Sequence, residues 1–121
     1  MSARILVVED HEENRRIMRD LLTSVGYEMI EAVTGEDGVA LAERERPDLI
    51  LMDIQLPGLD GYEATRRIKA NPTLRAIPII AVTSYALSGD DAKAMQAGCD
   101  AYVAKPFSPR ELLAKIRQHL P

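Results

Sequence analysis

Four short stretches carry side chains that could do chemistry together. Glu9-Asp10 follows Ile5-Leu6-Val7-Val8, and Asp53 ends the run Leu49-Ile50-Leu51-Met52. Thr83-Ser84 follows Ile79-Ile80-Ala81-Val82, and Lys105-Pro106 follows Ala101-Tyr102-Val103-Ala104. A buried apolar run gains nothing by ending on aspartate unless that carboxylate has a partner, since Asp is rarely buried alone. Three carboxylates brought together repel: at an effective dielectric near 20, two unit charges about 4 Å apart cost on the order of 4 kcal/mol. A divalent cation offsets that repulsion, and an oxygen-only donor set with room for water suits Mg²⁺ better than Zn²⁺ or a full calcium cage. An aspartate beside Mg²⁺ and a lysine can attack a phosphoryl group, because metal and ammonium neutralise its oxygens as charge shifts. The Thr83 hydroxyl can then donate a hydrogen bond to the product. The chemistry these residue types imply is formation of an aspartyl phosphate on Asp53.

Such a constellation needs elements that deliver all four stretches to one place. The four apolar runs lack period-2 alternation, as strands covered on both faces do. A fifth run, Tyr27 to Val33, carries Glu28 and Glu31 and suits a sheet edge. Amphipathic stretches separate the runs. Ile17, Met18, Leu21, Leu22 and Val25 form one helical stripe that Gly26 stops. Val39, Leu41 and Ala42 mark a second helix closed by Pro47, and Tyr62, Thr65 and Ile68 a third that ends before Asn71-Pro72. The fourth, from Ser88 to about Ala97, is Ala-rich with Leu87 and Met95 as its bulky neighbours, so it is expected to be the most loosely held. The fifth opens on Ser108-Pro109-Arg110-Glu111, a capping box with proline at the first helical position, and carries Leu112, Leu113, Ile116 and Leu120. Strand–helix alternation repeated five times predicts an α/β fold: a five-stranded parallel sheet with right-handed crossovers and helices on both faces. In an open sheet of this kind ligands bind outside the carboxyl ends of the strands. Those ends are where Glu9, Asp10, Asp53, Thr83 and Lys105 fall.

The 121 residues fit one domain, spanning 1–121, with enough chain for a real core without disulfides. One cysteine, Cys99, forbids an internal disulfide and agrees with a reducing compartment. No leader and no apolar run near membrane-spanning length is present, so the expected location is cytoplasmic, without membrane insertion. Fifteen basic against nineteen acidic residues give a formal net charge of −4 and no basic footprint for direct nucleic-acid binding.

Taken in order, Glu9-Asp10, Asp53 within Met-Asp-Ile-Gln-Leu-Pro-Gly-Leu-Asp-Gly, Thr83 and Lys105-Pro106 closely resemble the receiver domain of bacterial two-component response regulators, in its stand-alone form. The resemblance covers essentially the whole chain. It implies a flavodoxin-like (βα)₅ fold with strand order 2-1-3-4-5 and a cis Lys105-Pro106 bond. It implies Mg²⁺ held by Glu9, Asp10, Asp53 and the backbone carbonyl of Gln55, phosphorylation at Asp53, phosphate contact by Lys105, and a switch through Thr83 and Tyr102. Side chains of Gln55 and Tyr85 would modulate hydrolysis. The implied partners are a histidine kinase or histidine phosphotransfer protein and a downstream protein target, with the chain itself a monomer or weak dimer. It would be a signalling receiver that catalyses its own phosphorylation and dephosphorylation rather than an enzyme turning over a substrate.

Two other readings use the same residues. A Mg²⁺-dependent phosphohydrolase of the haloacid-dehalogenase kind needs a second aspartate two residues after the nucleophile, where Gln55 stands. A flavodoxin-like nucleotide or flavin module needs a Gly-rich loop after the first strand, which is lacking. Taken singly, Glu9 and Asp10 could be helix caps, Asp53 an Asx turn before Pro57, and Lys105 a solvated lysine. His11 reads as a first-turn helix residue, His119 as an exposed helix end, and Cys99 as a small buried group.

Overall fold

The computed structural model describes residues 3–83 and 90–120. Strands and helices alternate along the chain: β1 (Arg4–Val8), α1 (Glu12–Ser24), β2 (Glu28–Ala32), α2 (Gly35–Glu45), β3 (Leu49–Asp53), α3 (Gly61–Ala70), β4 (Ile79–Thr83), α4 (Asp90–Ala97), β5 (Ala101–Ala104) and α5 (Pro109–His119). All pairings are parallel, in the order β2-β1-β3-β4-β5. This is the flavodoxin-like architecture expected from the sequence, with β2 at one edge. Among the described residues no helix is long and apolar enough to cross a membrane.

The sheet separates two apolar layers. On one face Leu6, Val8, Ile50, Met52, Ile79 and Ala81 pack with Ala42 of α2, Ala64 and Ile68 of α3, and Ala94 of α4. On the other, Ile5, Val7, Leu49, Leu51, Ile80 and Val82 pack with Met18 and Leu22 of α1 and Leu112 and Ile116 of α5. Both faces of β1, β3 and β4 are therefore covered, which is why those strands are uninterruptedly apolar. Each fully buried Leu or Ile contributes about 1.5–3 kcal/mol relative to an exposed one.

Three helices, α2, α3 and α5, open on side-chain caps. Thr34, Asp60 and Ser108 accept hydrogen bonds from the N–H groups of Asp37, Glu63 and Glu111 at 3.0, 2.9 and 3.0 Å. At the end of α1, Gly26 takes a left-handed φ of 89°. The apolar stripe of α1 is narrower than the sequence suggests. Met18 and Leu22 are buried, but Ile17 is 56% exposed and Val25 is exposed as well. One residue is a rotation of about 100° on a helix of 3.6 residues per turn, and that rotation carries Ile17 from the sheet toward the loop after β5. There, Asn14, Ile17, Lys105, Pro106 and Phe107 line an open groove of about 420 Å³. In α4, Ala94 and Ala97 are buried while Met95 is half exposed, so this helix meets the core through alanines. Ser84, Tyr85, Leu87 and the expected helix start at Ser88 lie outside the described residues.

Candidate functional site

Parallel register fixes which side chains meet at the carboxyl edge. Val8 stands beside Met52, Asp53 beside Val82, and Thr83 beside Ala104. The residues that follow β1 and β5 therefore emerge beside Asp53 and Thr83. The backbone locks this edge: Glu9 N–H donates to the Ala32 carbonyl at 3.0 Å, and Lys105 N–H to the Thr83 carbonyl at 2.7 Å. The Lys105–Pro106 peptide is cis, as expected.

At the centre is a lysine between two buried carboxylates. Lys105 Nζ donates to Glu9 Oε1 at 2.9 Å and stands 3.6 Å from Asp53 Oδ1. Glu9 is fully buried and Asp53 is 3% exposed. Asp53 Oδ1 also accepts the Gln55 N–H at 3.1 Å, and Glu9 Oε2 accepts the His11 N–H at 3.1 Å. The two carboxyls titrate apart. Burial, and then the neighbouring Glu9 carboxylate, push Asp53 up to about 7, against the weaker pull of Lys105 and the Gln55 N–H. Burial acts on Glu9 too, but the Lys105 and His11 donors together outweigh it and hold that carboxyl down at about 2. The Lys105 and His11 donors thus favour the ionised form of Glu9, and burial beside Glu9 favours the protonated form of Asp53.

Asp10 lies alongside. Its Oδ1 is buried and, among the described residues, accepts no hydrogen bond. An unsatisfied buried carboxylate oxygen costs a few kcal/mol; one ligand atom each from Glu9, Asp10 and His11 lies within 4.8 Å of the other two. The Glu9 and Asp10 carboxylates are oxygen donors that suit a hard divalent cation such as Mg²⁺.

Thr83 is fully buried at the end of β4. Alternation along the strands puts Thr83 and Ala81 on one face of the sheet, and Ala81 pairs with Tyr102 of β5. Thr83 and Tyr102 are thus diagonal neighbours on one face, with Tyr102 36% exposed. The structure brings Glu9, Asp53 and Lys105 into direct contact, with Asp10 beside Glu9 and Thr83 at the adjoining strand end. Tyr102 stands apart at the edge strand, and the Gln55 side chain is exposed.

Two supporting residues, Arg15 and Gly61, escape a reading of the sequence, and a third, His11, was read there as a first-turn helix residue. Arg15 donates from Nη1 to the Glu9 backbone carbonyl at 3.0 Å while pairing with Glu12 and, at 3.4 Å, Glu31. It ties α1 and β2 to the turn that presents the acidic pair. Gly61 starts α3 against the end of β3: a Cβ there would stand 2.3 Å from the Asp53 carbonyl oxygen and 2.7 Å from Ile54 Cα. Any side chain at Gly61 would displace the Asp53 backbone. His11 is the N-cap of α1 rather than a first-turn residue, and its Nδ1 lies 3.2 Å from Asp10 Oδ1. Asp-Gly at the helix start and the Asn-Arg-Arg run of α1 were the available signals, and neither is specific by itself.

Comparison with known proteins supplies the context. The family model described as response regulator receiver domain matches residues 5–117. The polar-differentiation response regulator DivK of Brucella anthropi is 44% identical over 120 residues, covering 99% of this chain and 98% of its own. Among solved structures, the receiver domain of the sensor histidine kinase PA1611 of Pseudomonas aeruginosa, with a magnesium ion coordinated in its active-site cleft, is 44% identical. It superposes with a TM-score of 0.92 over 98% of this chain and 97% of its own. The chemotaxis protein CheY4 of Vibrio cholerae has a TM-score of 0.93 at 26% identity, over 99% of this chain and all of its own. With the sheet order, the acidic edge and these matches in agreement, this chain belongs to the response regulator receiver domain family.

Proposed function

We propose that this chain is a phosphoacceptor in a phosphorelay: Asp53 takes a phosphoryl group from a histidine kinase or histidine phosphotransfer protein, and the modified protein signals by changed binding to a downstream partner. The observation that carries this is a nearly inaccessible aspartate at the central strand end, 3.6 Å from a lysine ammonium. An Asp53 carboxylate oxygen forms the new bond to phosphorus as the bond to the donor imidazole nitrogen breaks, and the electron pair of that bond leaves with the imidazole. Lys105 neutralises charge on the phosphoryl oxygens, for which it must turn from Glu9. Glu9, Asp10, Asp53 and the Gln55 carbonyl would hold Mg²⁺. Bound Mg²⁺ would supply charge neutralisation to the carboxylates and the incoming phosphoryl group. The Mg²⁺-bearing cleft of the Pseudomonas relative supports that assignment. Autophosphorylation from small donors and self-catalysed hydrolysis belong to the same reading.

The proton on Asp53 gives the metal site a testable pH dependence. A cation that needs the ionised carboxylate must displace a proton at any pH below about 7. Mg²⁺ affinity measured by calorimetry should be flat above that value and fall up to about tenfold per unit below it. In Asp53→Asn the dependence over this range should disappear. A wild-type affinity that does not change between pH 5.5 and pH 8 would contradict the assignment.

The switch is proposed on the face shared by Thr83 and Tyr102. A phosphoryl group adds about −1.5 to −2 charges and strong acceptor oxygens, giving the Thr83 hydroxyl reason to move toward it. Space vacated behind Thr83 would lie on the sheet face that Tyr102 shares, and the Tyr102 ring would turn inward to fill it. A ligand shifts an equilibrium only by its differential affinity for the two states. Thr83→Ala should therefore still bind beryllofluoride, a phosphoryl mimic, with Mg²⁺, yet lose the accompanying shift of a fluorine label on Tyr102. The same shift in Thr83→Ala and wild type would rule out this route.

A further inference from the structure

We propose that His11 makes this site a ligand for borderline transition-metal ions of the Co²⁺, Ni²⁺ and Zn²⁺ class, with Nδ1 of His11 joining the carboxylates of Asp10 and Glu9; the inference rests on the metal-site reading above. Nδ1 stands 3.2 Å from Asp10 Oδ1 and 3.4 Å from Glu9 Oε2. One ligand atom from each of these three residues lies within 4.8 Å of the other two. Two donors bound to one ion at about 2.0–2.1 Å stand roughly 2.8–3.0 Å apart in an octahedron and about 3.3–3.4 Å apart in a tetrahedron. The two separations from Nδ1 fall between and at these values.

Three further observations point the same way. Asp10 Oδ1, the atom facing the imidazole, is buried and accepts no hydrogen bond among the described residues. The imidazole is not occupied by helix capping: His11 is the N-cap of α1 without a side-chain cap hydrogen bond, and its side chain is 70% exposed. The His11 N–H already donates to Glu9 Oε2, which holds the ring's backbone against the carboxylate. The two oxygens of Glu9 are divided between partners, Oε1 to Lys105 and Oε2 toward His11. An ion on the His11 side can therefore form without displacing Lys105.

Imidazole changes which ion is favoured. Mg²⁺ is hard, prefers oxygen and keeps its waters; an added nitrogen donor gains little for it. For Co²⁺, Ni²⁺ and Zn²⁺ the same nitrogen is a preferred ligand. Such an ion takes Asp10 and Glu9 and thereby competes with Mg²⁺.

The test uses the untagged chain, with Co²⁺ and Mg²⁺ titrated separately by calorimetry and the visible spectrum of bound Co²⁺ recorded. His11→Phe and His11→Asn should each weaken Co²⁺ binding tenfold or more and alter that spectrum. Mg²⁺ affinity should fall at least fivefold less than Co²⁺ affinity in both. His119→Gln, the control for adventitious imidazole binding, should change neither. Equal Co²⁺ affinity and spectra in wild type and both His11 variants would overturn the inference while leaving the Mg²⁺ assignment intact; there the imidazole serves only as an ion-pair partner of the carboxylates. Co²⁺ binding that depends on His11 in a protein that fails to take Mg²⁺ would uphold it and overturn the earlier reading. Binding of neither ion would overturn both.

Discussion

Asp53→Asn should abolish phosphoryl uptake from acetyl phosphate and, in the metal-free protein, raise stability most at alkaline pH. The first effect follows from chemistry, since an amide oxygen is a far weaker nucleophile than a carboxylate and the other carboxylate beside Lys105, Glu9, is fully buried. The second follows from burial. Asp53 sits at about 7 against an ordinary value of 3.8. A carboxyl raised in the folded state retains a proton that the unfolded chain has released. Its contribution is therefore neutral below about pH 4 and becomes increasingly unfavourable as pH climbs toward 7, beyond which the full cost of the buried charge is present. Removing that charge should gain on the order of 2–4 kcal/mol at pH 8 and much less at pH 4. Denaturant titrations of both proteins at the two pH values check this. A variant that still takes one phosphoryl group would remove Asp53 from the role proposed for it, and one destabilised equally at both pH values would contradict the cost of its buried charge.

Lys105→Met should be the most disruptive single change at the site. It leaves Glu9, which is fully buried and held down at about 2, without its cation. Removing one partner of a buried pair typically costs about 3–5 kcal/mol because the remaining charge is uncompensated. Phosphoryl uptake should fall on the order of 10²–10³-fold, the range for loss of one electrostatic donor at a reacting centre. Structure and chemistry can be separated with Glu9→Gln in the same chain. The double variant should recover most of the stability, since the orphaned charge is gone, but none of the uptake. Recovery of both would mean that Lys105 acts through Glu9 alone.

The strands and their partners on the helices were legible because burial on two faces demands uninterrupted apolar runs, and the capping box at Ser108 acts locally. The carboxyl-edge cluster followed from that alternation, because parallel strands must all end on one side. The strand order came from the resemblance rather than from the pattern, since periodicity does not say which strands are neighbours. Ile17 was misplaced for a related reason. A helical stripe shows which residues share a face, but not how much of that face the sheet covers. Within the site, sequence placed Lys105 beside Asp53 but could not show that Glu9 holds it more closely, 2.9 against 3.6 Å. That preference depends on the angle at which each strand ends. Arg15, Gly61 and His11 act through backbone contacts or ring position, and these leave no periodic trace.

The most direct test of phosphoryl acceptance at Asp53 is to incubate the wild-type chain with Mg²⁺ and acetyl phosphate, reduce it with borohydride, and map the peptides by mass. An acyl phosphate is converted by hydride to the corresponding alcohol, which marks the carboxyl that carried the phosphoryl group. The expected result is reduction confined to position 53 and dependent on Mg²⁺. Reduction at Glu9, Asp10 or another carboxyl, or none at all in a folded chain that binds Mg²⁺, would contradict it.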